Sequence, residues 1–254
     1  MINLDKLPLL GIDVGFSKSR PTTGIAWSAD GTFGAAKTHT DWERRRVYLP
    51  PSTNFSVIAI DGPLVPDGSP NLLVRTCEQL MARGKFQKRC KPGSSHFGTG
   101  LQLKRAAHET AKQIRHLASA PVFANAVFRD VAIVEAFPNA FLGVLLSDKT
   151  FATDKIRRGK KFDWMYEHAV KAGKFGELLA FIGWDASDLL KQIETERDHE
   201  KRASYLCLLT AACAAVDKAV AVGDVSTGWI WLPPAELWAA WARDALEKNQ
   251  MALA

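Results

Sequence analysis

The sequence predicts an α/β fold: a mixed sheet, with an antiparallel meander joined to parallel strands, flanked by helices. Three observations carry this. "PLLGIDV" at 8–14, "GIAWS" at 24–28 and "FGAAKT" at 33–38 are short apolar runs separated by Gly-containing turns, the signature of a meander. "FSVIAIDGP" at 55–63 and "VAIVEAFPNA" at 131–140 are near-continuous apolar runs, suited to strands buried on both faces. Helical periodicity fills much of the rest. The whole chain, 1–254, reads as one domain with a helical elaboration around 148–198.

The elements follow in order. "ADG" at 29–31 is the clearest turn of the meander. Segment 41–48 is charged and reads as a short helix or an irregular crossover. Residues 71–83 have helical period, and 84–98 reads as a basic, Gly- and Ser-rich loop. A long helix is predicted over 99–119, with Leu101, Ala106, Ile114 and Leu117 on its apolar side. The strand in 131–140 ends at Glu135, and a helix starts at Pro138, where a proline is tolerated in the first turn. Two or three helices occupy 161–196, and an Ala-rich helix is predicted over 199–222. "GWIWLPP" at 228–234 reads as a strand and 234–248 as a last helix. Internal repeats and low-complexity linkers are absent from the sequence.

Hydrophobic residues make up 47% of the chain, enough for a packed core. No apolar stretch reaches the roughly 18 residues that span a bilayer. The start, "MINLDKLPLLGID", carries Asp5 and lacks the basic opening of a secretory signal. Cys77, Cys90, Cys207 and Cys213 form no CxxC pair and no zinc-type cluster, so they read as reduced thiols of a cytoplasmic protein. The net charge of +6 favours an anionic partner such as nucleic acid.

Three strands share one design: "LLGIDVG", "VIAIDGP" and "AIVEAFP" are apolar and end in an acid. Parallel strands put their C-terminal ends on one edge, where ligands bind. If these strands run parallel, Asp13, Asp61 and Glu135 converge there. Converging carboxylates repel unless a cation neutralises them, and oxygen ligands suit Mg²⁺ or Mn²⁺. Such ions can activate a water for phosphodiester cleavage. The plainer reading is that each acid caps the turn that follows its strand.

Together, "GIDVG", "AIDGPL", "RTCEQL", "VEAFPNA" and "DHE…A…GWIWLP" resemble domain-of-unknown-function family 429, a group of predicted ribonuclease H-like nucleases. The resemblance runs from Gly11 to Pro233 and implies a ribonuclease H-like fold and a metal-dependent nuclease. It implies that Asp13 and Asp61 are the principal metal ligands, with Glu135 completing the catalytic set. It also implies a fourth acid on a late helix, Asp198 or Glu200 in "DHEKRASYLCLLTAA". Arg202 stands where relatives usually offer an Asp; it would hold a phosphate, or pair with the acids and leave the site metal-free. Asp217 is a poor alternative, lying about 27 Å down the helix at 1.5 Å per residue. The resemblance sets the "RTCEQL" helix over the site with Arg75 near a substrate phosphate; the plainer reading is a surface Arg75–Glu78 ion pair.

Ser17, Lys18 and Arg20, in the loop after Asp13, are candidates to hold a backbone phosphate. In "GKFQKRCKPGSSHFG", Lys88 and Arg89 sit among further lysines, with Phe86 and Phe97 interleaved. Such mixtures can track phosphates and stack bases, or simply form a solvated face. "KIRRGKKFDWMY" at 155–166 is a second such stretch, and "ERRR" at 43–46 reads as a plain exposed face. His96 reads as a satisfied loop histidine, and the late tryptophans as core. Two other functions compete with the nuclease: an actin-like or sugar-kinase-like ATP-binding protein, for which "GIDVGFSKSRPTTGIAW" would be a phosphate loop, and a non-catalytic nucleic-acid-binding protein on the same fold.

Overall fold

Apolar runs rich in Ile, Val and Ala assemble a seven-stranded mixed sheet, described by a computed structural model for residues 2–17, 19–66, 74–120, 131–153 and 159–253. The strands are β1 (Leu9–Asp13), β2 (Thr23–Ala29), β3 (Thr32–Thr38), β4 (Val57–Asp61), β5 (Ile133–Ala136), β6 (Val220–Asp224) and β7 (Gly228–Leu232). Their order across the sheet is β3-β2-β1-β4-β5-β7-β6. The meander is antiparallel, β1, β4, β5 and β7 run parallel, and β6 returns antiparallel beside β7. The turn between β2 and β3 places Asp30 at φ 47° and Gly31 at φ 71°, the left-handed pair that a two-residue hairpin requires.

Eleven helices complete the described chain: α1 (Trp42–Arg46), α2 (Thr76–Met81), α3 (Gly84–Arg89), α4 (Gly98–Ile114), α5 (Pro138–Leu145), α6 (Asp148–Thr153), α7 (Lys161–Lys171), α8 (Lys174–Ile182), α9 (Ser187–Thr195), α10 (His199–Ala215) and α11 (Ala240–Met251). Successive strand residues point to opposite faces. Leu10, Ile12, Ile58, Ile60 and Ile133 pack on one face against Ala107, Ala111 and Ile114 of α4. Leu9, Val57, Ala59 and Val134 pack on the other face with α10, and the same core takes in α5 and α7 to α9. A third cluster joins Ile230 and Val222 of the β6–β7 hairpin to α2, α3 and α11.

Helix α10 is buried nearly all round, and the sheet beneath it is trimmed to receive it. Ala35, Ala26, Gly11 and Ala59 are paired across four strands in one row of small residues. A Cβ at Gly11 would stand 2.2 Å from the backbone nitrogen of Leu208. The helix therefore lies almost on the strand backbone.

Three expectations need correction. Residues 84–89 are the helix α3, not loop, because buried Phe86 anchors them against Trp241, ring centroids 5.3 Å apart. The helix expected over 199–222 stops at Ala215; Asp217 takes φ 55° and the chain turns into β6. The last helix is preceded by a separate 3-10 turn, Ala235–Leu237. Residues 71–73 and 155–158, included in the predicted helix and second basic stretch, lie outside the described residues. Among the described residues, no helix is long and apolar enough to cross a membrane.

Candidate functional site

Strand register sets out the site. Asp61 pairs with Asp13, Asp13 with Gly24, and Gly24 with Lys37. Residues paired across strands project to the same face. Lys37, Gly24, Asp13 and Asp61 thus form one row, on the α10 face, at the C-terminal rim of the parallel strands. Gly24 is a notch in this row: a Cβ there would stand 1.9 Å from the carbonyl oxygen of Glu200. Helix α10 begins in that notch. Its N-cap is Asp198, whose carboxylate accepts the N–H groups of Glu200 (3.1 Å) and Lys201 (3.2 Å). Lys37 reaches up from the sheet, with Nζ 2.6 Å from Glu200 Oε2 and 3.2 Å from Asp198 Oδ2.

Four acids therefore share one corner, and their electrostatics are strained. Burial, then the charges of Asp61 and Glu200, push the Asp13 carboxyl well above the ordinary range. Burial and the charge of Glu135 raise Asp61 to about 7, against the pull of its hydrogen bond with Asp13. The two carboxyls hydrogen-bond to each other, and burial makes both resist ionisation. Asp198 goes the other way: burial raises it, but the Lys201 N–H and the Lys37 ammonium outweigh that and hold it ionised. Lys37 is held charged in turn, chiefly by its hydrogen bond to Glu200.

Glu135 does not join this row. It pairs with Ile60, while Asp61 pairs with Ala136. That offset of one residue turns Glu135 to the α4 face. There it meets Arg75, the N-cap residue of α2, in a two-point ion pair at 3.0 and 2.7 Å, and it also accepts the Leu64 N–H at 2.8 Å. Arg75 is 1% exposed; its Nε donates to the Thr227 carbonyl at 2.8 Å, and Glu78 lies 3.8 Å away. Burial lifts the Glu135 carboxyl despite this partner. The expected Asp13, Asp61, Glu135 triad is thus a pair plus a separate buried ion pair. Arg75 and Glu78 are not at the surface, and Arg75 has no face open to a phosphate.

Arg202 also points away. It is 2% exposed, donates to Asp163 (3.2 Å) and the Glu196 carbonyl (3.0 Å), and lies over the Tyr166 ring at 4.9 Å. It fastens α10 to α7 and touches none of the row. Arg89 is likewise structural, stacked between Phe151 and Trp241 at 4.6 and 4.3 Å and paired with Asp148. Phe86 is fully buried and offers no base a surface. Arg20 and Lys88 remain exposed, and Ser17 Oγ accepts the Arg20 N–H at 3.2 Å; Lys18 lies outside the described residues. His96 is satisfied by Ser95 Oγ at 3.0 Å, and Trp231, Trp238 and Trp241 are core.

Two residues were not anticipated. Lys37 gave no signal, because its place depends on the β2–β3 register. Arg45 was read as part of an exposed face and is 2% exposed. Among the described residues, no group of three or more His, Cys, Asp or Glu side chains is arranged to hold a metal ion. Asp13 and Asp61 hydrogen-bond to each other, and Asp198 and Glu200 are taken up by Lys37. No protein-family model, curated protein or solved structure matches this chain.

Proposed function

We propose that the chain is a metal-dependent nuclease of the ribonuclease H-like type, related to domain-of-unknown-function family 429, that hydrolyses phosphodiester bonds in nucleic acid. The observation that carries this reading is the Asp13–Asp61 pair on adjacent parallel strand ends, with Glu200 close enough to repel it. Two buried carboxyls that hydrogen-bond to each other and resist ionisation are a site where a divalent cation can take the place of protons. Their hard oxygen donors fit Mg²⁺ or Mn²⁺, which Asp13 and Asp61 would hold, with Glu200 the further acid whose charge acts most on Asp13. Bound there, the ion supplies Lewis acidity that generates a nucleophilic water and stabilises the leaving oxygen.

The chain's own residues do the rest. Asp198 caps α10 and fixes where Glu200 starts. Lys37 keeps Asp198 ionised and holds the helix start over the row. Exposed Arg20 and Lys88, with a net charge of +6, suit a polyanionic partner. Glu135 acts through Arg75 by fixing the rim, not as a ligand. The antiparallel meander that passes into parallel strands supports the ribonuclease H-like reading. An ATP-binding protein of the actin-like class needs a second meander with its own Gly-rich turn, and the described residues hold one. A non-catalytic binder would gain from an Arg202 that pairs with the site acids and keeps the site metal-free, but Arg202 pairs with Asp163 instead. The four free, buried thiols suit the reducing cytoplasm.

The test is Mn²⁺-dependent cleavage of single-stranded and duplex DNA, RNA and hybrids, with wild type, Asp13→Asn and Asp61→Asn. Cleavage by wild type that falls at least a hundredfold in both variants is expected. Equal activity in all three proteins would overturn the reading.

A further inference from the structure

On the α4 side of the same rim lies a cavity of about 640 Å³, bounded by the loop after β1, by α1 and by α4. It falls within the size range of small-ligand pockets. Gly15 and Phe16 line it, two and three residues beyond Asp13, and Phe16 is 47% exposed. Arg45 lines it from α1 and is almost wholly buried. Among the described residues, no carboxylate lies within ion-pair distance of its guanidinium. Arg45 donates to Thr110 Oγ1 (3.1 Å) and to the carbonyls of Thr40 (2.6 Å) and His39 (3.5 Å), so three of its five N–H donors are used. Asp41 acts on this guanidinium only from beyond ion-pair distance and does not outweigh the cost of its burial, which an entering anion relieves. Two of the lining residues also carry a buried polar atom with no hydrogen-bond partner among the described residues: His39 Nδ1 and Gln113 Oε1.

We propose that this cavity binds one nucleotide of a nucleic-acid strand, its phosphate against Arg45, its base on Phe16 and its base edge facing His39 and Gln113. That the occupant is a substrate nucleotide rests on the nuclease reading. The rim charges decide between one nucleotide and a run of backbone. Arg44 adds a cation, but Asp41 and Glu109 offset the two arginines, so the lining is not a continuous positive track. Asp41 is itself occupied in capping α1, accepting the Arg44 N–H at 3.1 Å, and Glu109 accepts from Gln113 Nε2 at 3.4 Å.

The experiment is calorimetric titration of the full chain, in EDTA, with the four 5′-mononucleotides, the matching nucleosides and inorganic phosphate as separate arms. One mononucleotide per chain is expected, with nucleoside and phosphate each at least tenfold weaker. Phe16→Ala is expected to weaken binding about tenfold, the size of one lost base–aromatic stack. Gln113→Leu should change the preference among bases. Phe16 is exposed and Gln113 only partly buried, so the test does not depend on Arg45 variants folding. Absence of mononucleotide binding overturns the proposal, as does binding that neither variant alters. Strand cleavage without mononucleotide binding sinks the pocket and spares the nuclease. Mononucleotide binding without cleavage keeps the pocket and removes the nuclease reading.

Discussion

Asp13 and Asp61 weaken the fold at the position where they would serve chemistry. The folded state raises the Asp61 carboxyl to about 7, above its ordinary 3.8, so between those values the native protein holds a proton that the unfolded chain has lost. The stability this contributes is complete below about pH 4 and is lost as pH rises through about 7. Asp224, pulled down to about 2, acts in the opposite sense and only at lower pH. Urea midpoints of metal-free protein should fall from pH 5 to pH 8. Asp61→Asn should flatten that decline, and an unchanged slope in the variant would rule out Asp61 as its source. Mn²⁺ should raise the melting temperature of wild type at pH 7.5 and leave that of Asp13→Asn unmoved, by differential scanning fluorimetry. These residues were the most legible part of the sequence, since an acid that ends an apolar run stands out. Their partners were not. Lys37 and Arg45 look like any surface cation until the strand register and the packing of α4 are known.

At the scale of elements, α10 is seated by absent side chains. Gly24→Ala would put a methyl group 1.9 Å from the Glu200 carbonyl oxygen, and backbone must move to admit it. A loss of about 3 kcal/mol in urea unfolding is expected, at the upper end for overpacking, together with a smaller Mn²⁺-induced stabilisation as Glu200 shifts. The Arg75–Glu135 pair joins α2 to β5, and through the Thr227 carbonyl to the turn before β7. Arg75→Leu would strand Glu135 as a buried acid and should cost roughly 3–5 kcal/mol. Replacing both partners, Arg75→Leu with Glu135→Leu, should recover most of that loss in the same assay. The strands and the long helices were legible because their apolar period is local. The helix α3 was missed because its anchor, Phe86, is fixed by Trp241, far along the chain. The strand β6 was missed because "AAVDKAVAV" favours helix locally, and the hairpin with β7 overrides it. The side that Glu135 faces was illegible for the same reason: register is a tertiary property.

At the scale of the whole molecule, the helical elaboration is not an appendage. Phe162, Tyr166, Phe175 and Leu189 share one apolar cluster with Val57 and Val134 of the sheet, and α10 lies between the two layers. Tryptophan fluorescence and far-ultraviolet circular dichroism should therefore report coincident unfolding in urea. Separate transitions would mean that α7 to α9 fold apart from the sheet. The sequence suggested an elaboration around 148–198, with two or three helices read within 161–196. Its burial against α10 could not be read from composition, since Arg202 and Asp163, which fasten the two, look like solvent-facing charges.

The alternation of faces at the end of β5 also sets how the chain can change length. Deleting one residue within Ile133–Val134 would send Glu135 into the apolar layer under α10 and turn Ala136 towards Arg75. Deleting two would keep every side chain on its own face and only shorten the strand. Gaps in this segment are therefore tolerated by parity, and a frame-preserving loss of two codons is the milder lesion.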